Sequence, residues 1–290
     1  MVEVTRHVSP GRNSEEYVRV MAESTVKAVG FLSRSSEMLG SALSTAELHA
    51  KARCLIDPRA ARVETWEAVV TAMQIGSALF AAAAAPPETT IQARIDHDVR
   101  TIPAAGPRGF VSPGNWLTAF WLAIVCRDQT RMTQLCEIPL DLFRASQRNE
   151  GWEADEYVFQ WIDTLQTYWL RRPGVAEKLL KTIELSHPDT ATITPKDLLN
   201  HILYQPINLF HRFVTHDTDG YDQALYEALQ YHKGYWTSDE ERVNNPTGYI
   251  ALGPLAITCL AHDGEFPLNV TSDYLPHHLI QRSWLGEFPT

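Results

Sequence analysis

The side chains capable of chemistry are numerous but scattered. Eleven histidines occur among the 290 residues, and a metal centre needs several ligands at helical or hairpin spacing. His211 and His216 are five apart, on different faces of a helix, while the adjacent His277 and His278 point apart. One Glu-x-x-His pair, Glu184 and His187, sits at a helix end before Pro188. A di-iron bundle needs two such motifs and two further glutamates. No metal or cofactor is therefore expected. The nucleophile elbow GxSxG and the phosphate loops GxxxxGK[ST] and GxGxxG are absent. Cys54, Cys126, Cys136 and Cys259 lack CxxC spacing and have mostly apolar neighbours, as buried reduced thiols do. A disulfide between two of them stays open. The segment "HDTDG" (216–220) faintly resembles a calcium loop, but the ligand run is short and lacks the distal glutamate, so a turn into a helix is expected. The sequence reads as a non-enzyme, although catalytic groups can converge from distant parts of a chain.

Aromatic side chains offer a different chemistry, that of binding. There are eight Trp, ten Tyr and ten Phe. Trp116, Phe120, Trp121, Tyr157, Trp161 and Trp169 fall largely on apolar helix faces, which core packing explains. Trp152 in "EGWEADE" and Trp236 before "TSDEE" are instead flanked by carboxylates. A ring that anchors and charges that steer a basic partner make a binding surface. The candidate partner contacts are Trp152, Glu153, Asp155, Glu156, Asp239, Glu240 and Glu241. Ser238 followed by Glu241 also matches a capping box, and the two readings can share residues. A second candidate is an internal pocket lined by Trp116, Trp121, Trp161 and His97, as in a helical enzyme or small-molecule binder.

These residues are carried mainly on helices. Apolar side chains at helical spacing predict segments near 14–32, 39–56 and 63–85, the last two stopped by Pro58 and by Pro86-Pro87. Ile91 to Val99 alternate apolar and polar, which predicts a short extended insert near 88–112 with no evident partner strand. Ser112 and Pro113 open the next helix as N-cap and first-turn residue. Shorter helices follow near 130–137 and 139–146, with a polar loop over 147–155. Later helices are expected from Tyr157 through Tyr168 to a C-terminus at Arg171-Arg172, and near 174–185, 195–204, 206–216, 219–237, 247–262 (kinked at Pro254) and 275–282. The fold class is all-α: about ten antiparallel-paired helices in a bundle or a tetratricopeptide-like superhelix. No fixed-period repeat selects between the two.

Charge divides the chain. Residues 1–150 hold 16 acidic and 16 basic side chains; residues 151–290 hold 19 acidic and nine basic, so the whole net charge of −10 lies in the second half. The chain is either a single helical domain over 1–290 or two packed halves, 1–150 neutral and 151–290 acidic. An acidic surface repels nucleic acid and membrane headgroups and attracts basic partners, though charge also serves solubility alone. Met1 to Pro10 contains no apolar run, and Ala78–Ala85 and Leu117–Cys126 fall short of the roughly 20 residues that span a bilayer. A soluble, cytoplasmic protein is expected.

Several long segments carry a resemblance. "LGSALSTAELHAKARCLIDP", "ETWEAVVTAMQIGSALFAAA", "NWLTAFWLAIVCRD", "YVFQWIDTLQTYWLRRPG" and "ALGPLAITCLAHDGEFPL" with "SDYLPHHLI" are similar to the immunity 49 family of bacterial polymorphic-toxin immunity proteins. The similarity runs from about Leu39 to the C-terminus. More distantly, "YHKGYW" and "YLPHHLI" resemble helical immunity proteins of PoNe-type DNases. The resemblance implies a largely α-helical protein that binds and neutralises a cognate toxin, and it brings no catalytic residues. A nuclease-type toxin, with its basic substrate groove, would suit the acidic half.

Overall fold

The computed structural model describes residues 2–290. Its helices are 62% of the chain and its strands 6%, a mainly-α fold consistent with a bundle. Strand β1 (Val2–Val4) leads to α1 (Ser14–Phe31), α2 (Leu39–Ile56) and α3 (Val63–Ala84). Strands β2 (Thr90–Ile95) and β3 (Asp98–Pro103) follow, then α4 (Pro113–Val125), α5 (Gln129–Cys136) and α6 (Leu140–Glu150). The second half contains α7 (Glu156–Trp169), α8 (Val175–Leu185), α9 (Lys196–Leu198), α10 (Gln205–Val214), α11 (Thr218–Trp236) and α12 (Glu240–Val243). It closes with α13 (Leu252–Asp263), β4 (Val270–Ser272) and α14 (His277–Ile280).

Helix α3 is the axis of the molecule. It packs against α2 on one side and α4 on another, and α4 packs in turn against α13. Gly76 lets α3 and α4 approach: a Cβ there would lie 2.8 Å from that of Ala119. α3 is long and apolar enough to cross a bilayer, but 83% of its most apolar stretch is buried inside the protein. One continuous hydrophobic cluster runs from Val4 to Leu279 and includes residues of both halves.

The extended insert has a partner after all. β2 and β3 form an antiparallel hairpin with Ile95 opposite Asp98. Asp96 and His97 turn the corner with φ of 53° and 65°, the mirror-image two-residue turn that suits strand twist. The apolar/polar alternation runs straight through this turn, so one strand seemed to continue where two meet. A second pairing was also unforeseen: β1 lies parallel to β4, Val2 beside Val270. The predicted kink at Pro254 is absent, because α13 starts at Leu252 and Pro254 sits in its first turn, where the missing N–H costs nothing. Helix α6 extends to Glu150, shortening the expected polar loop, and Gly151 ends it at φ 72°. The expected helix over 195–204 becomes a short α9 running into a π-helical turn, Leu199–Leu203.

Candidate partner-binding face and aromatic pocket

The first acidic cluster lies between α6 and α7. Glu153 and Glu156 are exposed. Trp152 is half-buried: its indole N–H donates to Ser146 Oγ at 3.1 Å and its ring stacks on Phe159. Arg144 lies 3.5 Å over the same Phe159 ring and pairs with Glu156 at 2.6 Å. Asp155 corrects the sequence reading, because it belongs to the interior. Its carboxylate is 6% exposed and accepts from the backbone N–H groups of Thr192, Ile193 and Thr194 at 2.8, 3.0 and 2.7 Å. Burial pushes its pKa up, but the hydrogen bonds outweigh it and hold the carboxyl below its ordinary range.

The second cluster surrounds α12. Asp239, Glu240 and Glu241 are all exposed. Asp239, not Ser238, is the N-cap: its Oδ1 accepts from Arg242 N at 2.8 Å. The capping box at Ser238 does not form. Trp236 is also interior, 8% exposed, with its ring so close to Gly248 that a Cβ there would lie 2.6 Å from Trp236 Cγ. The "WTSDEE" aromatic therefore packs inward while its carboxylates face out.

One short segment joins the clusters. Thr192 to Thr194 hang on Asp155, while Asp197 pairs with Arg242 at 2.9 Å and Arg242 pairs with Asp239 at 3.3 Å. Two residues, Pro195 and Lys196, separate Thr194 from Asp197, a reach of at most about 11 Å over three steps. Groups far apart in sequence, 152–156 and 239–241, thus border the same strip of chain. Periodicity holds no signal for this convergence.

Just beyond that strip in the chain, Leu198 and His201 to Leu203 form part of the wall of a hollow of about 320 Å³. Its walls include Tyr157 and Trp161 of α7, Trp121 of α4, Trp236 of α11, and the π-helical turn. Trp121 and Trp161 are 6.2 Å apart, ring centre to ring centre. Two of the four predicted pocket residues are thereby brought together. Trp116 is not among them, being fully buried with its indole N–H bonded to Leu135 O at 2.9 Å. His97 is exposed at the hairpin turn, its ring 5.0 Å from that of Phe288. Sequence reasoning missed Lys51, Glu47 and His232, which also line the hollow. Lys51 is 5% exposed and pairs with Glu47 at 2.6 Å. His232 is buried; desolvation drives its pKa down to about 3 against the pull of a hydrogen bond to Gly248 O at 3.0 Å. The ring is neutral at pH 7, so its Nε2 proton goes to that carbonyl and Nδ1 is left as an acceptor.

Roomier grooves exist elsewhere, the largest about 900 Å³ between β2 and α5. Of its cations, Arg131 and Arg127 pair with Asp128 and Asp263 at 3.2 and 3.1 Å, and Arg94 donates to the His97 carbonyl at 2.9 Å. Among the described residues, no three His, Cys, Asp or Glu side chains converge to hold a metal ion. All four cysteines are free and buried, and burial pushes the Cys54 thiol up to about 12 and the Cys259 thiol up to about 11, suppressing the thiolate.

The chain is thus a mainly-α scaffold with exposed carboxylates around 153–156 and 239–241 and a hollow lined by aromatic rings. The model of the immunity protein 49 family matches residues 57–279, and the chain belongs to that family. It is an immunity protein. The match begins at the α2–α3 junction, later than the similarity near Leu39 suggested by the sequence. No curated protein and no solved structure matches the chain significantly.

Proposed function

We propose that this immunity protein neutralises its cognate toxin by covering the toxin's active site with the face that carries Glu153, Glu156, Asp239, Glu240 and Glu241. The observation behind this reading is that segment 192–197 is tied at one end to Asp155, between exposed Glu153 and Glu156 in sequence, and at the other to Arg242 of α12, whose Asp239, Glu240 and Glu241 are exposed, in a chain of the immunity protein 49 family. Trp152 lends its outer edge to the same face. Such carboxylates raise the rate of encounter with a basic surface and set its orientation. A toxin of nuclease type has such a surface, since it must hold a phosphate backbone. The protein then works by occlusion and not by catalysis, and its interface buries roughly 1,600 Å².

Bracing matters to this role. Asp155 and Arg242 fix the 192–197 strip before any partner arrives, so little conformational entropy is lost on binding. The test is co-expression with the toxin encoded beside this gene, followed by isolation of the complex. Protection and a co-eluting complex are expected, with both weakened in a variant carrying Glu153→Lys, Glu156→Lys, Glu240→Lys and Glu241→Lys. Toxicity without rescue by the native protein, and no complex, refutes the reading.

The aromatic hollow favours the alternative of a small-molecule binder only in part. Two of its four predicted walls are present, and Trp116 and His97 lie elsewhere.

A further inference from the structure

Helix α1 is packed on one side only. Its one extensive contact is with α2, and of its 18 residues only Val18, Thr25 and Val29 are buried. α2 also carries α3, so α1 and α3 flank it and leave a groove of about 540 Å³ between them. The floor is largely apolar: Val18, Ala22, Val26 and Val29 come from α1, Ile56 from α2 and Ala68 from α3. On α1 these recur every three or four residues, the spacing of a ridge that packs against a helix. Val26 lines the groove yet is 62% exposed.

The walls are acidic. Glu15 and Glu16 stand on α1, Glu64 and Glu67 on α3 and Asp96 at the hairpin turn, against the two guanidiniums of Arg19 and Arg53, a net charge of −3. Both cations are engaged: Arg19 pairs with Glu16 at 2.6 Å and with Glu23 at 2.8 Å, and Arg53 with Glu64 at 3.6 Å. Glu67 meets only the ring of His97, at 3.8 Å, and Glu15 and Asp96 form no ion pair among the described residues. Burial holds the His49 ring, also in the groove, down to about 4, so it adds no positive charge at pH 7. An apolar floor is thus bordered by carboxylates without counter-ions. No residue of the 152–156 or 239–241 clusters lines this groove.

We propose that the groove between α1 and α3 seats a basic amphipathic helix of a partner protein, its apolar stripe on Ala22, Val26 and Ile56 and its lysines or arginines beside Glu15, Glu67 and Asp96. The length fits: from Glu15 to Val29 α1 rises about 21 Å, the span of a partner helix of about 14 residues laid alongside it. A second copy of this chain is the poorer occupant. Its own α1 brings Glu15, Glu16 and Glu23 against Arg19 and Lys27, and like charges across an interface oppose docking. Nucleic acid and anionic lipid meet the same repulsion. The groove is separate from the acidic strip and stands or falls without it.

The test uses the whole protein and three fluorescein-labelled peptides of about 14 residues. One has leucine at every third or fourth position and lysine elsewhere, one has the same composition shuffled to break the stripe, and one has glutamate in place of each lysine. Anisotropy is read at about 0.15 M salt, where charges more than about 8 Å apart are largely screened. The striped lysine peptide is expected to bind at least about tenfold more tightly than either control, which is about 1.4 kcal/mol. Ala22→Trp and Thr71→Trp, two separate substitutions that fill the groove from α1 and from α3, are each expected to weaken it about tenfold or more, as is Glu15→Lys combined with Glu67→Lys. Glu153→Lys, Glu156→Lys, Glu240→Lys and Glu241→Lys together are expected to change it by less than about threefold. Amide hydrogen exchange on the native protein locates the peptide and needs no variant: added protection is expected over 18–29 and not over 239–241. Equal binding of the shuffled peptide, no binding of any peptide, full affinity in a filled variant that keeps the native circular dichroism spectrum, or protection confined to the second half overturns the proposal. Failure of the toxin co-expression experiment bears on the acidic strip alone.

Discussion

Helix α3 and the stretch from Lys196 to Tyr204 are built on opposite plans. From Ala72 to Phe80 every residue of α3 is buried, closed in by α2 and α4. From Lys196 to Tyr204 only Leu199 is buried; the helix breaks into a π turn and half-covers a hollow. The first region is packed without slack, which gives a rigid platform. The second leaves volume unfilled, across from the Lys51–Glu47 pair of α2. Full packing and unfilled volume thus fall to different stretches of the chain, although α2 and α4 border both.

That division can be attacked from both ends. The largest effect belongs to the platform. Phe80 is fully buried and its ring lies 5.8 Å from that of Phe143. Phe80→Ala is expected to cost about 3–5 kcal/mol in urea unfolding, while the folded fraction keeps its affinity for the toxin. An intact stability would show that α3 is not the core it looks to be.

An intermediate effect belongs to the hollow and appears with pH. His232 stays neutral in the folded protein down to about 3, whereas an unfolded histidine titrates near 6.5. Below pH 6.5 the unfolded chain binds the extra proton, so stability falls as pH drops from about 6.5 toward 3. Between pH 6.5 and 5 this one group accounts for about 2 kcal/mol. His232→Asn is expected to flatten that part of the profile in chemical denaturation. His49, held down to about 4 chiefly by desolvation, leaves a residual slope of the same sign.

The smallest effect on stability belongs to the rim. Glu240→Lys or Glu241→Lys alone should change unfolding free energy by less than about 0.5 kcal/mol, since both carboxylates are exposed. The same changes should slow toxin association and lessen its dependence on salt, measured by stopped flow at two ionic strengths. A rim change that unfolds the protein, or leaves association untouched, would erase the contrast between the regions.

Much of the fold was legible. α1, α2, α3 and α4 lie where apolar spacing, proline stops and the Ser112 cap predicted them, because each signal acts within one element. Failures came where a distant group decided the outcome. The hairpin turn at Asp96-His97 lacks the usual glycine, and the β1–β4 pair joins residues more than 260 positions apart. The capping box failed by one residue: Asp239 takes the cap by accepting from Arg242 N, while the Ser238 hydroxyl donates back to Tyr235 O. For the face, the sequence named the carboxylates but could not tell Asp155, spent on the 192–194 backbone, from its exposed neighbours Glu153 and Glu156.

By itself the sequence determined the helical class, most helix boundaries, the concentration of negative charge after residue 150 and the family. These depend on local spacing, composition and extended similarity, all written along one dimension. Only the tertiary structure decided that residues 152–156 and 239–241 share a strip, that Trp236 turns inward while Glu240 faces out, and that Lys51 from the first half sits in a hollow walled mainly by the second. Those outcomes follow from how the helices stack, and stacking is fixed by the sum of many long-range contacts that no single segment encodes.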